Sequence, residues 1–420
     1  MIEIAPIRRC DAVVAVPGSK SYTHRALVIS ALADGESLLI DGLKSEDTEY
    51  TIQGLERFGI QVLREGDGIH VLGKGGKLKP GEERIFTGNS GTSMRILTAL
   101  AALRKGETLL YGTERMRKRP ISPLLDGLGS LGVKAYSTEG NGCPPVVVES
   151  RGLGRGLASV RCDESSQFLS ALLMVAPYAQ GDVILEVSGH LSSRPYVDIT
   201  LDVMSAFGVE VENSGYRSFL VKAGQRYLPR TYRVEGDASA ASYFFSAAAI
   251  TGGRVRIENS RSPSVQGDAG FLSILESMGC EVIRGDGWAE VRGKKLRGAE
   301  IDMNAMPDLV PTLAVMGAFA RGETVIKNIG HLRIKESDRI SGLAEELGKM
   351  GIRTEQGEDW LKIRGGGAHG AEIDPHSDHR LAMSFAIAGL AVRGVKIKEE
   401  RCVDKSFPDF WERLQKLYKR

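Results

Sequence analysis

An Ala-rich apolar run, then a Gly, then a β-branched run, as in ALVISALADGESLLI over residues 26–40, recurs six times along this chain. The glycines of the six copies are Gly35, Gly106, Gly181, Gly253, Gly322 and Gly394, and successive subtraction gives gaps of 71, 75, 72, 69 and 72 residues. A period of this length marks one supersecondary unit that cannot bury its own apolar face, so the copies must pack on one another. A second element keeps the same beat, in LERFGIQV, LGSLGVKA, MSAFGVEV, LESMGCEV and LGKMGIRT, with glycines at Gly59, Gly132, Gly208, Gly279 and Gly351. Helical periodicity that stops at a Gly and resumes as a strand predicts a helix, a left-handed Gly cap and a strand at each place.

The sixth copy of the second element starts at Phe410 (FWERLQKL) and the chain ends before its strand, while a strand signal without a partner, residues 2–16, opens the sequence. This predicts a last unit split across the termini. Three units, residues 17–235, then form one domain, and three more, residues 236–420, form another closed by residues 1–16, with backbone crossings near Pro17 and Gly236. The length of 420 residues also favours two cores over one. An open solenoid is the competing architecture, but a split terminal unit argues for closure. A propeller would lack the Ala-rich helices.

Lys and Arg number 55 against 53 Asp and Glu, so no global field recruits nucleic acid or an anionic membrane, and any anion site must be local. The five cysteines, Cys10, Cys143, Cys162, Cys280 and Cys402, form no close pairs, and free, buried thiols are expected. The apolar runs are too short to span a bilayer, and a cytoplasmic monomer without membrane attachment is expected.

The chemistry gathers ahead of the Ala-rich helices, where unpaired first-turn amides attract anions. The six lead-ins are PGSKSYTHR (17–25), GNSGTSMR (88–95), DESSQ (163–167), GDAS (236–239), MPD (306–308) and SDHR (377–380). Each offers helix-capping residues, and several add Lys or Arg. Loops after the strands add charge: RMRKR (115–119), HLSSR (190–194), HLRIK (331–335) followed by ESDR (336–339), and Asp404-Lys405. Arg clamps carboxylate and phosphate through two parallel donors, so several Arg and Lys imply a ligand with more than one anionic group. No GxxxxGK[ST] loop exists, and GLGRG (152–156) lacks dinucleotide spacing. The pair His376 and His379 is too sparse for a metal centre, and no metal or cofactor is expected.

PGSKSYTHR, GNSGTSMR, RMRKRP (115–120), SSQF (165–168), SSRPY (192–196), EGDASAASY (235–243), KESDR (335–339), SDHR and DKSFPDF (404–410) together resemble the 5-enolpyruvylshikimate-3-phosphate synthase family. The resemblance runs in order from Pro17 to Phe410. It implies a two-domain inside-out α/β barrel built from six βαβαββ repeats, three per domain, with the active site in the cleft between them. It also implies transfer of the enolpyruvyl group of phosphoenolpyruvate to the 5-hydroxyl of shikimate 3-phosphate.

By motif, the resemblance assigns Lys20, Ser21, Arg25, Ser165, Ser166, Ser193, Tyr196, Asp308 and Lys335 to shikimate 3-phosphate. Lys20, Gly91, Arg119, Gln167, Arg339, Arg380 and Lys405 go to phosphoenolpyruvate. Asp308 is implied to take the hydroxyl proton and Glu336 to protonate the methylene, with Lys20 also catalytic. His331 stands where some relatives carry Asn, and NSGTS (89–93) departs from the NAGTA of other members. The UDP-N-acetylglucosamine enolpyruvyl transferases share fold and donor, but resemble a Gly-Ala-Lys-Asn start and a loop cysteine. Here Gly-Ser-Lys-Ser stands and residues 112–120 hold no Cys. A non-catalytic repeat scaffold would give no purpose to Asp308 and Glu336 among so many cations.

Overall fold

The computed structural model describes residues 1–418. The chain divides into two units, Gly18–Val234 and Met1–Pro17 joined to Glu235 onward. In the first, three four-stranded sheets repeat one order: a strand, a parallel neighbour, then an antiparallel hairpin. Asp34–Ile40, Gly106–Tyr111 and Val183–Ser188 are the strands where parallel pairing gives way to antiparallel. In the second unit Arg254–Ile257 and Glu323–Lys327 hold the same place in two four-stranded sheets. Its third sheet has three strands, and Ile2–Glu3 from the start of the chain pairs antiparallel with Lys396–Ile397, Ile2 opposite Ile397. The chain's beginning thus supplies a strand that the sixth copy lacks.

Strands are exchanged at the unit boundaries. Asp11–Val14 precedes the helix Lys20–Leu32 in sequence yet pairs with Arg254–Ile257, and Thr231–Arg233 precedes the helix Ala238–Thr251 yet pairs with Asp34–Ile40.

Composition explains the layering. The helices Lys20–Leu32, Gly91–Ala101 and Gln167–Val175 pack on one another and are buried on almost every side. Ala238–Thr251, Val310–Phe319 and His379–Gly389 do the same in the other unit. A helix apolar all round belongs inside, and Ala lets helix backbones approach closely. Strands such as Gly156–Arg161, Val183–Ser188 and Asp11–Val14 alternate exposed and buried residues, as in sheets with one face to water. Helices within and sheets without make each unit an inside-out α/β barrel.

The helix–Gly–strand signals hold at all five places. Gly59, Gly132, Gly208, Gly279 and Gly351 have φ of 84°, 78°, 86°, 103° and 79°. At each, the Gly amide bonds back three residues and the next amide bonds back five, as in Gly59 to Glu56 (2.9 Å) and Ile60 to Leu55 (3.0 Å). The residue after the Gly is buried in every case: Ile60, Val133, Val209, Cys280 and Ile352. Two orphan carbonyls and one apolar contact therefore end each helix identically.

Candidate active site

In the Gly18–Val234 unit, Lys20, Gly91 and Gln167 each open an Ala-rich helix. Side chains stitch these helix starts together. Arg95 Nη1 donates to Gln167 Oε1 at 2.7 Å, and Gln167 Nε2 donates to Thr92 Oγ1 at 3.1 Å. Lys20 Nζ lies 3.2 Å from Asp47 Oδ2, and the Asp47 carbonyl accepts from Ser93 Oγ at 3.0 Å. Arg119 is buried, and its Nη1 donates to the Asn89 carbonyl at 2.9 Å. A Cβ added at Gly91 would meet Arg119 Nη2 at 2.5 Å, so the missing side chain is the space this guanidinium occupies.

Arg25 is buried and donates to Thr200 Oγ1 (2.7 Å), the Ser21 carbonyl (2.9 Å), the Tyr196 carbonyl (2.9 Å) and Ser170 Oγ (3.4 Å). All are neutral oxygens. Burial lowers Arg25 to about 10, with Tyr196 and Tyr22 acting the other way, so it stays charged at neutral pH. A buried cation held by neutral acceptors favours an arriving anion. Close by in sequence to these partners, Ser166 Oγ donates to the Ser193 carbonyl at 3.1 Å, and the Gln167 amide donates to Ser165 Oγ at 3.2 Å.

The second cluster belongs to the other unit. Asp308 sits in the turn Pro307–Leu309, with Oδ1 3.1 Å from Arg339 Nη1 and Oδ2 2.5 Å from Arg380 Nη2. Arg339 also reaches Glu336 Oε2 at 2.9 Å and Asp378 Oδ2 at 2.7 Å. Burial by itself would lower the Arg339 guanidinium, but Asp378, Glu336 and Asp308 together hold it above its ordinary value. Arg380 Nη1 also lies 3.4 Å from the Tyr243 hydroxyl. Lys335 closes the turn Gly330–Ile334, which contains the half-buried His331, and buried Lys405 ends the turn Glu400–Lys405.

Asp268, in the turn Gly267–Gly270, accepts from the Ser239 hydroxyl, and burial followed by the Asp308 charge pushes its carboxyl up to about 7. The folded chain then keeps a proton that the unfolded chain releases near 3.8, so this group costs stability as pH rises from about 4 to 7. Asp268→Asn is expected to raise Tm more at pH 8 than at pH 5. An equal change at both pH values would show that Asp268 does not titrate in this window.

The capping expectation needs correction. Ser90, Asp237 and Asp378 cap their helices by accepting from the amides of Ser93, Ala240 and Arg380. Ser19, Ser166 and the lead-in to Val310–Phe319 make no such bond. Ser166 instead donates to Ser193, and Asp308 is engaged by two guanidiniums. His376 lies 3.2 Å from Glu346 while His379 is fully buried. Sequence reasoning passed over Asp47, Arg95, Tyr243, Asp268 and the pairing of Asp378 with Arg339. Arg95 stood inside GNSGTSMR, Tyr243 inside EGDASAASY, and Asp378 and Arg339 inside SDHR and KESDR; Asp47 and Asp268 stood in no motif.

Among the described residues, no helix is long and apolar enough to cross a membrane. The family model described as EPSP synthase (3-phosphoshikimate 1-carboxyvinyltransferase) matches residues 4–414. A 3-phosphoshikimate 1-carboxyvinyltransferase of Nostoc punctiforme is 45% identical over 417 residues, with 98% of each chain covered. That of Syntrophobacter fumaroxidans is also 45% identical, with 99% of each covered. A solved EPSP synthase structure from Acinetobacter baumannii superposes with a TM-score of 0.82 at 29% identity, covering 99% of this chain and 97% of that one. With two inside-out barrels, cation-rich helix starts and a family match over nearly the whole length, the chain belongs to the EPSP synthase (3-phosphoshikimate 1-carboxyvinyltransferase) family.

Proposed function

We infer that both clusters serve the family's reaction, transfer of the enolpyruvyl group of phosphoenolpyruvate to the 5-hydroxyl of shikimate 3-phosphate with release of phosphate. The observation that carries this reading is the cation inventory. Buried Arg25 is held by neutral oxygens in one unit, and Arg339 and Arg380 are held on carboxylates in the other. Two multiply charged anions must approach one another, and fixed cations offset their repulsion.

Lys20, Ser21, Arg25, Ser165, Ser166, Ser193, Tyr196, Asp308 and Lys335 are proposed to bind shikimate 3-phosphate. Lys20, Gly91, Arg119, Gln167, Arg339, Arg380 and Lys405 are proposed to bind phosphoenolpyruvate. The 5-hydroxyl oxygen adds to C2 of phosphoenolpyruvate as its proton passes to Asp308, while Glu336 gives a proton to the methylene carbon. A methyl proton then returns to the Glu336 carboxylate as phosphate leaves the tetrahedral intermediate, which yields the enol ether. Arg339 Nη2 holds Glu336 Oε2 at 2.9 Å, which fixes this carboxyl beside the proposed donor site. The near-balanced charge supports a chain without a nucleic-acid partner, and we take it to act as a cytoplasmic monomer.

Phosphate release tests the reading: it should require both substrates together. Release from phosphoenolpyruvate alone at the same rate would sink it.

Gly91→Ala is expected to raise KM for phosphoenolpyruvate by about ten- to a hundredfold, since the new methyl must push the Arg119 guanidinium out of place. Arg119→Ala should show the same donor-selective loss. An unchanged donor KM in Gly91→Ala would separate Gly91 from the donor site.

A further inference from the structure

The helix Arg339–Lys349 carries Arg339, Gly342 and Glu346 at spacings of three and four, which puts them on one face. The segment 374–378 lies along that face in the opposite sense. At one end the Asp374 amide donates to Glu346 Oε2 at 3.0 Å. In the middle His376 rests on Gly342, where an added Cβ would come 3.1 Å from His376 Cδ2. At the other end Asp378 Oδ2 accepts from Arg339 Nε at 2.7 Å.

The segment is held against its own preference. His376 and Ser377 both adopt left-handed backbone conformations, with φ of 52° and 55°, which residues with a Cβ disfavour unless their surroundings impose it. Glu346 meets it from a fully buried position, its Oε1 lying 2.7 Å from Lys349 Nζ and 3.2 Å from His376 Nε2, while the His376 amide donates to Asp374 Oδ1 at 2.8 Å. The Asp378 amide bonds back to the Pro375 carbonyl at 2.8 Å. Asp378 then accepts from the Arg380 amide at 2.9 Å and from Ser337 Oγ at 3.2 Å. The place of both Arg339 and Arg380 thus passes through the segment that Glu346 anchors.

We propose that Glu346, with Gly342 and His376, is a set of positioning residues that fixes Arg339 and Arg380 for the donor anion. The proposal rests on the assignment of these two arginines to phosphoenolpyruvate. Removing the Glu346 carboxylate frees the Asp374 end, and adding a methyl at Gly342 lifts the His376 middle. Both changes lie two helical turns or one from Arg339 and leave every proposed substrate contact in the chain intact.

The test compares Glu346→Ala, Glu346→Gln and Gly342→Ala with the unaltered chain by steady-state kinetics and by hydrogen exchange at residues 374–378. Glu346→Ala and Gly342→Ala are expected to raise donor KM about tenfold or more, with acceptor KM within about twofold, and to speed exchange in the segment. Glu346→Gln keeps an acceptor for the Asp374 amide and should recover most of the donor affinity. If Glu346→Ala does not fold, Gly342→Ala decides the matter. Faster exchange with unchanged donor KM, or equal loss for both substrates, overturns the positioning role. Phosphate release by the unaltered chain reads the function separately, so either result leaves the function standing.

Discussion

Asp308→Asn is expected to cut turnover by about 10²–10⁴-fold with only a modest change in KM for either substrate. The substitution keeps the shape of the side chain and one acceptor oxygen for Arg339 or Arg380, which stand 3.1 and 2.5 Å from the native carboxylate. What it removes is the ability to take a proton. Glu336→Gln should behave alike for the opposite reason, because the amide still accepts from Arg339 but has no acidic proton to give. Turnover near normal in either variant would strike that residue from the proton route. A large KM effect with unchanged turnover would recast it as a binding group.

Arg339→Met should damage the fold as well as the reaction. Its guanidinium is the common partner of Asp308, Glu336 and Asp378, and Asp378 is completely buried. Deleting one partner of a buried ion pair leaves the other charge without compensation, at a cost of about 3–5 kcal/mol. Denaturant unfolding should therefore shift strongly, and the donor should lose affinity in whatever fraction remains folded. Arg339→Lys should rescue little, because one ammonium cannot reproduce a planar fork that serves three carboxylates. A Met variant within about 1 kcal/mol of the parent would mean that the carboxylates find water or other cations.

What could be read from the sequence follows how local each signal is. The Gly59, Gly132, Gly208, Gly279 and Gly351 caps were legible because a helix end is decided within six residues. The Ala-rich helices were legible because the whole circumference is apolar. That residues 1–16 close the 236–420 unit was legible too, but the strands that Asp11–Val14 and Thr231–Arg233 pair with were not, since strand pairing joins residues more than 190 apart in sequence, as in Thr231 with Leu38. The side-chain network was equally hidden. Arg95 meets Gln167 across 72 residues, and Arg339 meets Asp378 across 39. Capping failed at Ser166 although the residue type was right, because its backbone is already helical there, with φ of −70° and ψ of −9°, which does not turn its oxygen onto the first-turn amides.

The two anions divide between named cations, and paired KM measurements on Arg25→Ala and Arg380→Ala read that division. Arg25 is bonded only to neutral oxygens and is assigned to shikimate 3-phosphate; Arg380 is paired with Asp308 and is assigned to phosphoenolpyruvate. With the second substrate saturating, Arg25→Ala should raise KM for shikimate 3-phosphate at least tenfold more than KM for phosphoenolpyruvate, and Arg380→Ala should do the reverse. Equal losses for both substrates in both variants would contradict the division.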